Sequence, residues 1–340
     1  MKILGIETSC DETAASLCEV KGGNFKIISN IVSSQINIHK KYGGVVPEVA
    51  ARAHAEVVYD VVGRALGKIK IKTIDLIAVT YGPGLVTSLR VGVLAAQAIA
   101  GLADISLVKV NHTEAHLLSP FLNNKRIGFP ALGLIVSGGH TELVLMKDFG
   151  KYKIIGETRD DAVGEAFDKV AKMLNLGYPG GPIISQLAIR QGAEPLNLKL
   201  PRPMLNSKDF DFSFSGLKTA TLYLAKKMSK TELKKMTPAI CKEFQNAVVD
   251  VLVKKTIYAA KKYNIKSILV GGGVSANKEL RNALEKLDYK VYLPNLEYTG
   301  DNASMIAFAG WKKYKRAKKN EVFKINASPN LAIDKKPEIC

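Results

Sequence analysis

Residues 108–120 read VKVNHTEAHLLSP and hold two of the five histidines in a chain of 340 residues. On a helix, His112 and His116 at i and i+4 share one face, where two imidazoles can hold one metal ion. The spacing is H-x-x-x-H with the glutamate third after His112. It therefore lacks the H-E-x-x-H arrangement that gives a metalloprotease its general base. By spacing alone the pair divides evenly between a structural and a ligating role, and a metal centre needs a third ligand. Asp301, in YTGDNASMIA, stands at the head of a predicted helix, where it can ligate or simply cap the helix. Asp11 and Glu12, in TSCDET, follow the first predicted strand. Acids in that place can orient a nucleophile or a cation, or serve only as turn residues.

Four predicted strand ends carry turn-forming or glycine-rich sequence: ETSCDET (7–13), YGPGL (81–85), VSGGHTE (136–142) and VGGGVSAN (270–277). Glycine lets backbone N–H groups approach a ligand without a Cβ clash, and such turns cradle phosphates. The chain has no G-x-x-x-x-G-K-[ST] loop, which excludes an ordinary P-loop. VGGGVSAN misses G-x-G-x-x-G because Ala276 stands in the third glycine's place. YPGGP (178–182) is a further ligand loop or a plain turn. Asp168, in EAFDK, either reaches a ligand or is a solvated helix carboxylate.

The elements that must position these residues follow from the hydrophobic pattern. KILGIET, TAASLCEV and FKIISNIVSS predict three strands, with the KGGN turn between the last two. A helix is predicted over 47–67, a strand over 76–84 and an apolar helix over 86–103. The order then repeats: ALGLIVSGG, TELVLMK and KIIGETR as strands, a helix over 164–175, a long helix near 239–263, and SILVGGG as a strand. NKELRNALEKL, KVYLP and the closing helix DNASMIAFAGWKKYKR continue the alternation. This predicts an α/β fold of the actin, sugar-kinase and Hsp70 type, duplicated into two lobes with mixed sheets and a cleft. Residues 1–125 with a C-terminal helix at about 300–330 form the expected first lobe, and 126–299 the second.

Lys+Arg 49 against Asp+Glu 31 gives a net charge of +18, an excess that favours a polyanionic partner such as RNA. The densest basic run, KKYKRAKK (312–319), is a tRNA contact or a soluble helix end. The four cysteines, Cys10, Cys18, Cys241 and Cys340, have no framework spacing and read as reduced thiols of a cytoplasmic protein. Acidic residues fall where a signal peptide would be apolar, and no membrane association is expected.

Together the motifs resemble the TsaD family of tRNA threonylcarbamoyladenosine synthases, once labelled O-sialoglycoprotein endopeptidases. The matching stretches include GIETSCDETA, YGGVVPEVAAR, YGPGL, NHTEAHLL, VSGGHTEL, DDAVGEAFDKVAKMLNLGYPGGP, PRPM, FSFSGLKTA, GGGVSAN and TGDNASMIAFAG. They run in order from residue 5 to 310, and SCDET and EVAAR look like the bacterial and organellar branch. The resemblance implies a divalent metal, iron(II) or zinc, held by His112, His116 and Asp301. It implies substrate contacts at Ile135, Val136, Ser137, Gly138, Gly139, Asp168, Gly181 and Asn277. Asp11 matches an acid the family needs, and Asp11 with Glu12 forms the expected catalytic pair. Many relatives carry aspartate at the position of Ser185, where serine hydrogen-bonds more weakly. The implied reaction moves a threonylcarbamoyl group from threonylcarbamoyl-AMP to the exocyclic amine of the adenosine 3′ of the anticodon, releasing AMP. The implied partners are tRNA, TsaB and TsaE in bacteria, and a TsaC-type enzyme that supplies the adenylate. Two rival readings are a nucleotide-binding scaffold of an RNA-modification complex and an actin-fold small-molecule kinase or ATPase. The old peptidase label would need a peptide-cleaving constellation, and none is visible.

Overall fold

The strand β1 (Lys2–Glu7) is buried from Ile3 through Glu7, the pattern of a strand covered on both faces. It pairs antiparallel with β2 (Glu12–Lys21), which pairs antiparallel with β3 (Asn24–Ser34), an edge strand in which half-buried and exposed residues largely alternate. After the short α1 (Ile36–His39) comes α2 (Pro47–Leu66), opened by a proline in its first turn. Then β4 (Leu76–Gly82) joins β1 in parallel, α3 (Val86–Ala103) crosses over, and β5 (Ser106–Asn111) extends the sheet to the order β3-β2-β1-β4-β5. The helix α4 (His112–Leu118) follows directly on β5. Among the described residues one helix, α3, has the length and apolar composition of a membrane span, and it packs against α2 and β4.

The pattern then recurs. The strand β6 (Ala131–Val136) pairs antiparallel with β7 (Thr141–Asp148), and β8 (Lys151–Glu157) lies at the edge. Four helices follow: α5 (Val163–Met173), α6 (Gly180–Ala188), α7 (Ser215–Lys226) and α8 (Lys230–Lys262). The strand β9 (Ser267–Gly271) joins β6 in parallel, α9 (Lys278–Glu285) crosses, and β10 (Lys290–Tyr292) completes the order β8-β7-β6-β9-β10. Element for element this repeats the first sheet.

The computed structural model describes residues 1–124, 126–190, 199–317 and 325–335. The chain divides into two compact units. Met1–Arg126, Phe149–Lys151 and the chain from Pro294 onward form one, and Ile127–Asp148 with Tyr152–Leu293 form the other. Each has its own core: Leu4, Ile6, Ile77, Val79 and Val93 lie among the first, and Leu132, Leu134, Phe167, Phe244 and Ile268 among the second. Cys340 and residues 318–319 of the basic run lie outside the described residues.

The last helix, α10 (Ala303–Ala317), returns to the first unit and packs on β1, β2, β4 and β5. It comes in very close. A Cβ on Gly5 would lie 2.2 Å from the Ala303 carbonyl oxygen, and one on Gly310 would lie 2.4 Å from the Ala78 side chain. Only glycine permits that approach.

The structure departs from the sequence reading at several places. The closing helix, expected over about 300–330, spans Ala303–Ala317, and residues 325–335 are not helical. The long helix starts at Lys230 rather than near 239, because Ser229 and Glu232 form a reciprocal capping box and the helix continues through Pro238. Proline there forfeits a backbone hydrogen bond, yet Thr237, Pro238 and Ala239 are buried and packing holds the turn. YPGGP is more than a turn, since Gly180–Pro182 open α6 and proline is tolerated in a first helical turn. FSFSGLKTA, unassigned by pattern, contributes the start of α7.

Candidate functional site

In the first unit, Asn111 ends β5 and its side-chain oxygen accepts a hydrogen bond from the Glu114 N–H at 2.9 Å, capping α4. That start places His112 and His116 on one helical face, with ring centroids 4.6 Å apart. Asp301 arrives just before α10. The capping contact at that helix is made by Asn302, whose Oδ1 accepts from the Met305 N–H at 3.1 Å. Asp301 Oδ1 instead lies 2.9 Å from His116 Nε2 and 3.5 Å from His112 Nε2.

The three side chains bring one ligand atom each within 4.8 Å of one another, and both histidines are buried. Donors bound to one first-row metal ion at about 2.0–2.2 Å sit about 3.0–3.5 Å apart, so this trio fits a metal with little movement. The donor set of two imidazoles and one carboxylate suits iron(II) or zinc chemically.

Behind the trio lies a residue the sequence reading did not single out. Glu7, fully buried at the end of β1, accepts from the Thr80 hydroxyl at 2.6 Å and faces His112 Nδ1 at 3.0 Å. A charged residue closing an otherwise apolar strand was the signal available for it. With Nδ1–H donated to Glu7, the Nε2 lone pair is left to face a metal, the usual carboxylate–histidine support of a metal ligand. Ser9 Oγ also lies 3.1 Å from Nδ1. Burial works against an imidazolium here, but Asp301 and Glu7 outweigh it and lift His112 to about 9. Against its own burial, Glu7 is in turn held below the ordinary carboxylate range by His112.

Asp11 and Glu12 occupy the turn into β2, outside the trio itself but near enough to Asp301 for its charge to act on Glu12. Asp11 is buried, and its carbonyl accepts from the Gln35 N–H at 2.9 Å. Burial, then the negative charges of Asp301 and Asp11 and a hydrogen bond to Asp11, push the Glu12 carboxyl well above its usual range.

The second unit places the remaining residues. Ile135 and Val136 end β6, and Ser137, Gly138 and Gly139 form the turn that follows. The Ser137 N–H donates to the His140 carbonyl at 2.9 Å, and the His140 N–H donates to Ser137 Oγ at 3.0 Å. A Cβ on Gly138 or Gly139 would meet nothing within 4 Å. Asp168, on α5, accepts from the Gly180 N–H at 2.7 Å and so stands at the head of α6, where negative charge is favoured. Gly181 follows with open space at its Cβ position. Asn277 caps α9 through the Leu280 N–H at 3.0 Å, and its amide donates to Ser185 Oγ at 2.9 Å and Gln245 Oε1 at 2.8 Å. Asp168 thus meets the start of α6, and Asn277 meets Ser185.

YGPGL does not behave as a phosphate turn. A Cβ on Gly82 would lie 1.9 Å from the Ser328 carbonyl oxygen, and one on Gly84 would lie 2.5 Å from that of Ser9. Its glycines make room for other parts of the chain.

Two mixed five-stranded sheets of one repeated order define an actin-like α/β protein. HypF from T. kodakarensis superposes with a TM-score of 0.60 over 92% of this chain at 15% identity, and the chain spans 47% of HypF. An activator of 2-hydroxyisocaproyl-CoA dehydratase from Clostridium difficile gives a TM-score of 0.51 at 12% identity, covering 94% of this chain and 97% of the activator. In sequence, the tRNA N6-adenosine threonylcarbamoyltransferase of Persephonella marina is 45% identical over 348 aligned residues, covering 100% of this chain and 98% of the relative. The profile of the TsaD family, tRNA N6-adenosine threonylcarbamoyltransferase, matches residues 26–308, and the chain belongs to that family.

Proposed function

We propose that this chain transfers the threonylcarbamoyl group of threonylcarbamoyl-AMP to the exocyclic amine of the adenosine 3′ of the anticodon in tRNA. The observation that carries the reading is the convergence of His112, His116 and Asp301, with His112 steadied by Glu7, in a member of this family. A bound divalent metal, iron(II) or zinc, supplies Lewis acidity toward the threonylcarbamoyl group.

The chain's own residues do the rest. Backbone groups of Ile135 to Gly139 receive the phosphate, with the open positions of Gly138 and Gly139 admitting close approach. Asp168, Gly181 and Asn277 hold the nucleoside. The amine nitrogen attacks the carbamoyl carbon, a C–N bond forms, and the bond from that carbon to the phosphate oxygen breaks. AMP departs with the electron pair, and the amine proton passes to Asp11, beside Glu12. The +18 charge favours tRNA docking, so tRNA affinity falls steeply with salt. TsaB and TsaE are the partners of this reading in a bacterium, a TsaC-type enzyme makes the adenylate, and the cytoplasm is the compartment.

The test is transfer of labelled threonine from pre-made threonylcarbamoyl-AMP to unmodified tRNA, with TsaB and TsaE present. His112→Ala/His116→Ala is assayed alongside for bound metal. Transfer by the wild type, with metal and activity both lost in the variant, supports the reading. Binding of tRNA and adenylate without transfer favours a scaffold, and ATP turnover with a small acceptor favours a kinase. Undiminished transfer by the metal-free variant removes the metal from the mechanism.

A further inference from the structure

The turn 8–13 in the first unit carries Asp11 and Glu12, and it is fastened from several elements. From α3, the Leu85 N–H donates to the Ser9 carbonyl at 2.8 Å, and Thr8 Oγ1 donates to the Ser88 carbonyl at 2.9 Å. From the metal-ligand side, Ser9 Oγ meets His112 Nδ1. From α2 comes His54, fully buried and with both ring nitrogens engaged. Its Nε2 lies 2.9 Å from the Cys10 carbonyl oxygen and its Nδ1 lies 2.7 Å from Thr13 Oγ1. A carbonyl only accepts, so Nε2 carries the hydrogen and the neutral ring accepts the Thr13 hydroxyl at Nδ1. Burial keeps His54 below the ordinary imidazole range, which preserves this donor–acceptor pattern.

The two contacts bracket the acids. Cys10 immediately precedes Asp11, and Thr13 immediately follows Glu12. A second buried path reinforces the first. Gln35, whose N–H holds the Asp11 carbonyl, is tied through its side chain to the Ala50 carbonyl at 3.3 Å and to His39 Nε2 at 3.1 Å. A residue that only filled the core would need no polar atom at either end of this pair.

We infer that His54 is a positioning residue for the transfer reaction: it holds the Cys10 carbonyl on one side of Asp11 and Glu12 and the Thr13 hydroxyl on the other, and so fixes where the two carboxyls point. The inference rests on the reading above, in which these acids handle the amine proton. Small displacements of a catalytic group are costly, because proton transfer depends on heavy-atom distance and alignment.

The experiment compares full-length wild type with His54→Leu, His54→Gln, Thr13→Val and Asp11→Asn in the threonine-transfer assay. Bound metal and thermal unfolding are measured on each protein. Glutamine keeps one donor and one acceptor, whereas leucine fills the space with neither. The expected result for His54→Leu is a fall in kcat of about 10- to 100-fold, with KM for the adenylate and bound metal unchanged. His54→Gln should recover most of the rate, and Thr13→Val should show a smaller loss of the same kind. Wild-type kcat in His54→Leu beside an inactive Asp11→Asn overturns the inference and leaves the acids in place. Wild-type kcat in Asp11→Asn overturns the reading of the acids on which it rests. A loss in His54→Leu that merely tracks lost metal or lost folded protein, with no rescue by glutamine, makes His54 structural and also overturns the inference.

Discussion

In the first unit the turn from β1 to β2 is tied to α2, α3 and His112, and it carries two carboxyls. In the second unit the turn from β6 to β7 occupies the same place in an equivalent sheet, and it presents two glycines with open space at their Cβ positions. One frame therefore supports two kinds of site. Where side chains fill the turn, they gather carboxylates and imidazoles suited to a cation and a proton. Where glycines fill it, the open Cβ positions leave the room for close approach that the proposed phosphate contact needs. The strand frame sets where a candidate site can be, and the turn residues set the chemistry it offers.

The largest effect that could break this comparison lies at Asp301. Asp301→Ala should release bound metal and lower transfer by roughly three orders of magnitude, several kcal/mol of transition-state stabilisation, read by metal analysis and single-turnover assay. Retention of both would mean the side-chain-filled turn does not sit beside a cation site.

Glu7→Gln comes next. It removes the carboxylate behind His112 and should weaken metal affinity or activity by about 10- to 100-fold, measured by competition with a chelator. The metal-free protein carries a pH signature of the same contact. His112 is raised to about 9 in the folded state, so its pairing with Asp301 and Glu7 is fully present below about 6.5 and lost as pH rises through 9. Metal binding must displace that proton, so affinity should climb with pH across the same window, and a flat profile would contradict the pairing.

Glycine substitutions sharpen the comparison at intermediate size. Gly5→Ala drives a methyl against the Ala303 carbonyl and should cost about 1–3 kcal/mol of stability, with metal affinity falling too because Asp301 lies at that helix head. Gly138→Ala meets open space, so its unfolding midpoint should stay near the wild type while adenylate affinity drops in a titration. The smallest effect belongs to Ser185→Ala. It removes one hydrogen bond to Asn277, about 1 kcal/mol, and should slightly weaken nucleotide binding.

Much of the frame was legible because strand and helix periodicities are local. The run KILGIET and the apolar stretch at 86–103 needed no tertiary information, and the repeated order followed from them. The head of α6 was obscured because Gly180, Gly181 and Pro182 give the same local signal in a turn and in a first helical turn. The start of α8 was obscured because Pro238 reads as a boundary, whereas burial around it is a tertiary fact. At the candidate metal centre, the spacing of His112 and His116 was visible, but their approach to Asp301 spans 185 residues from His116 and depends on where α10 packs. Glu7 and His54 were missed for a related reason, since their partners lie on other elements and no spacing in the chain announces them.

The return of α10 to β1 has a consequence for synthesis on the ribosome. Glu7, His112 and His116 all precede Asp301 in the chain by 185 residues or more, so until residue 301 is added a nascent chain owns two imidazoles and their supporting carboxylate but not the third member of the cluster. On the proposed reading, capture of a metal by all three donors waits until the head of α10 has been made. An ion held by all three would clasp α4 to the head of α10 and favour the folded first unit in proportion to its affinity.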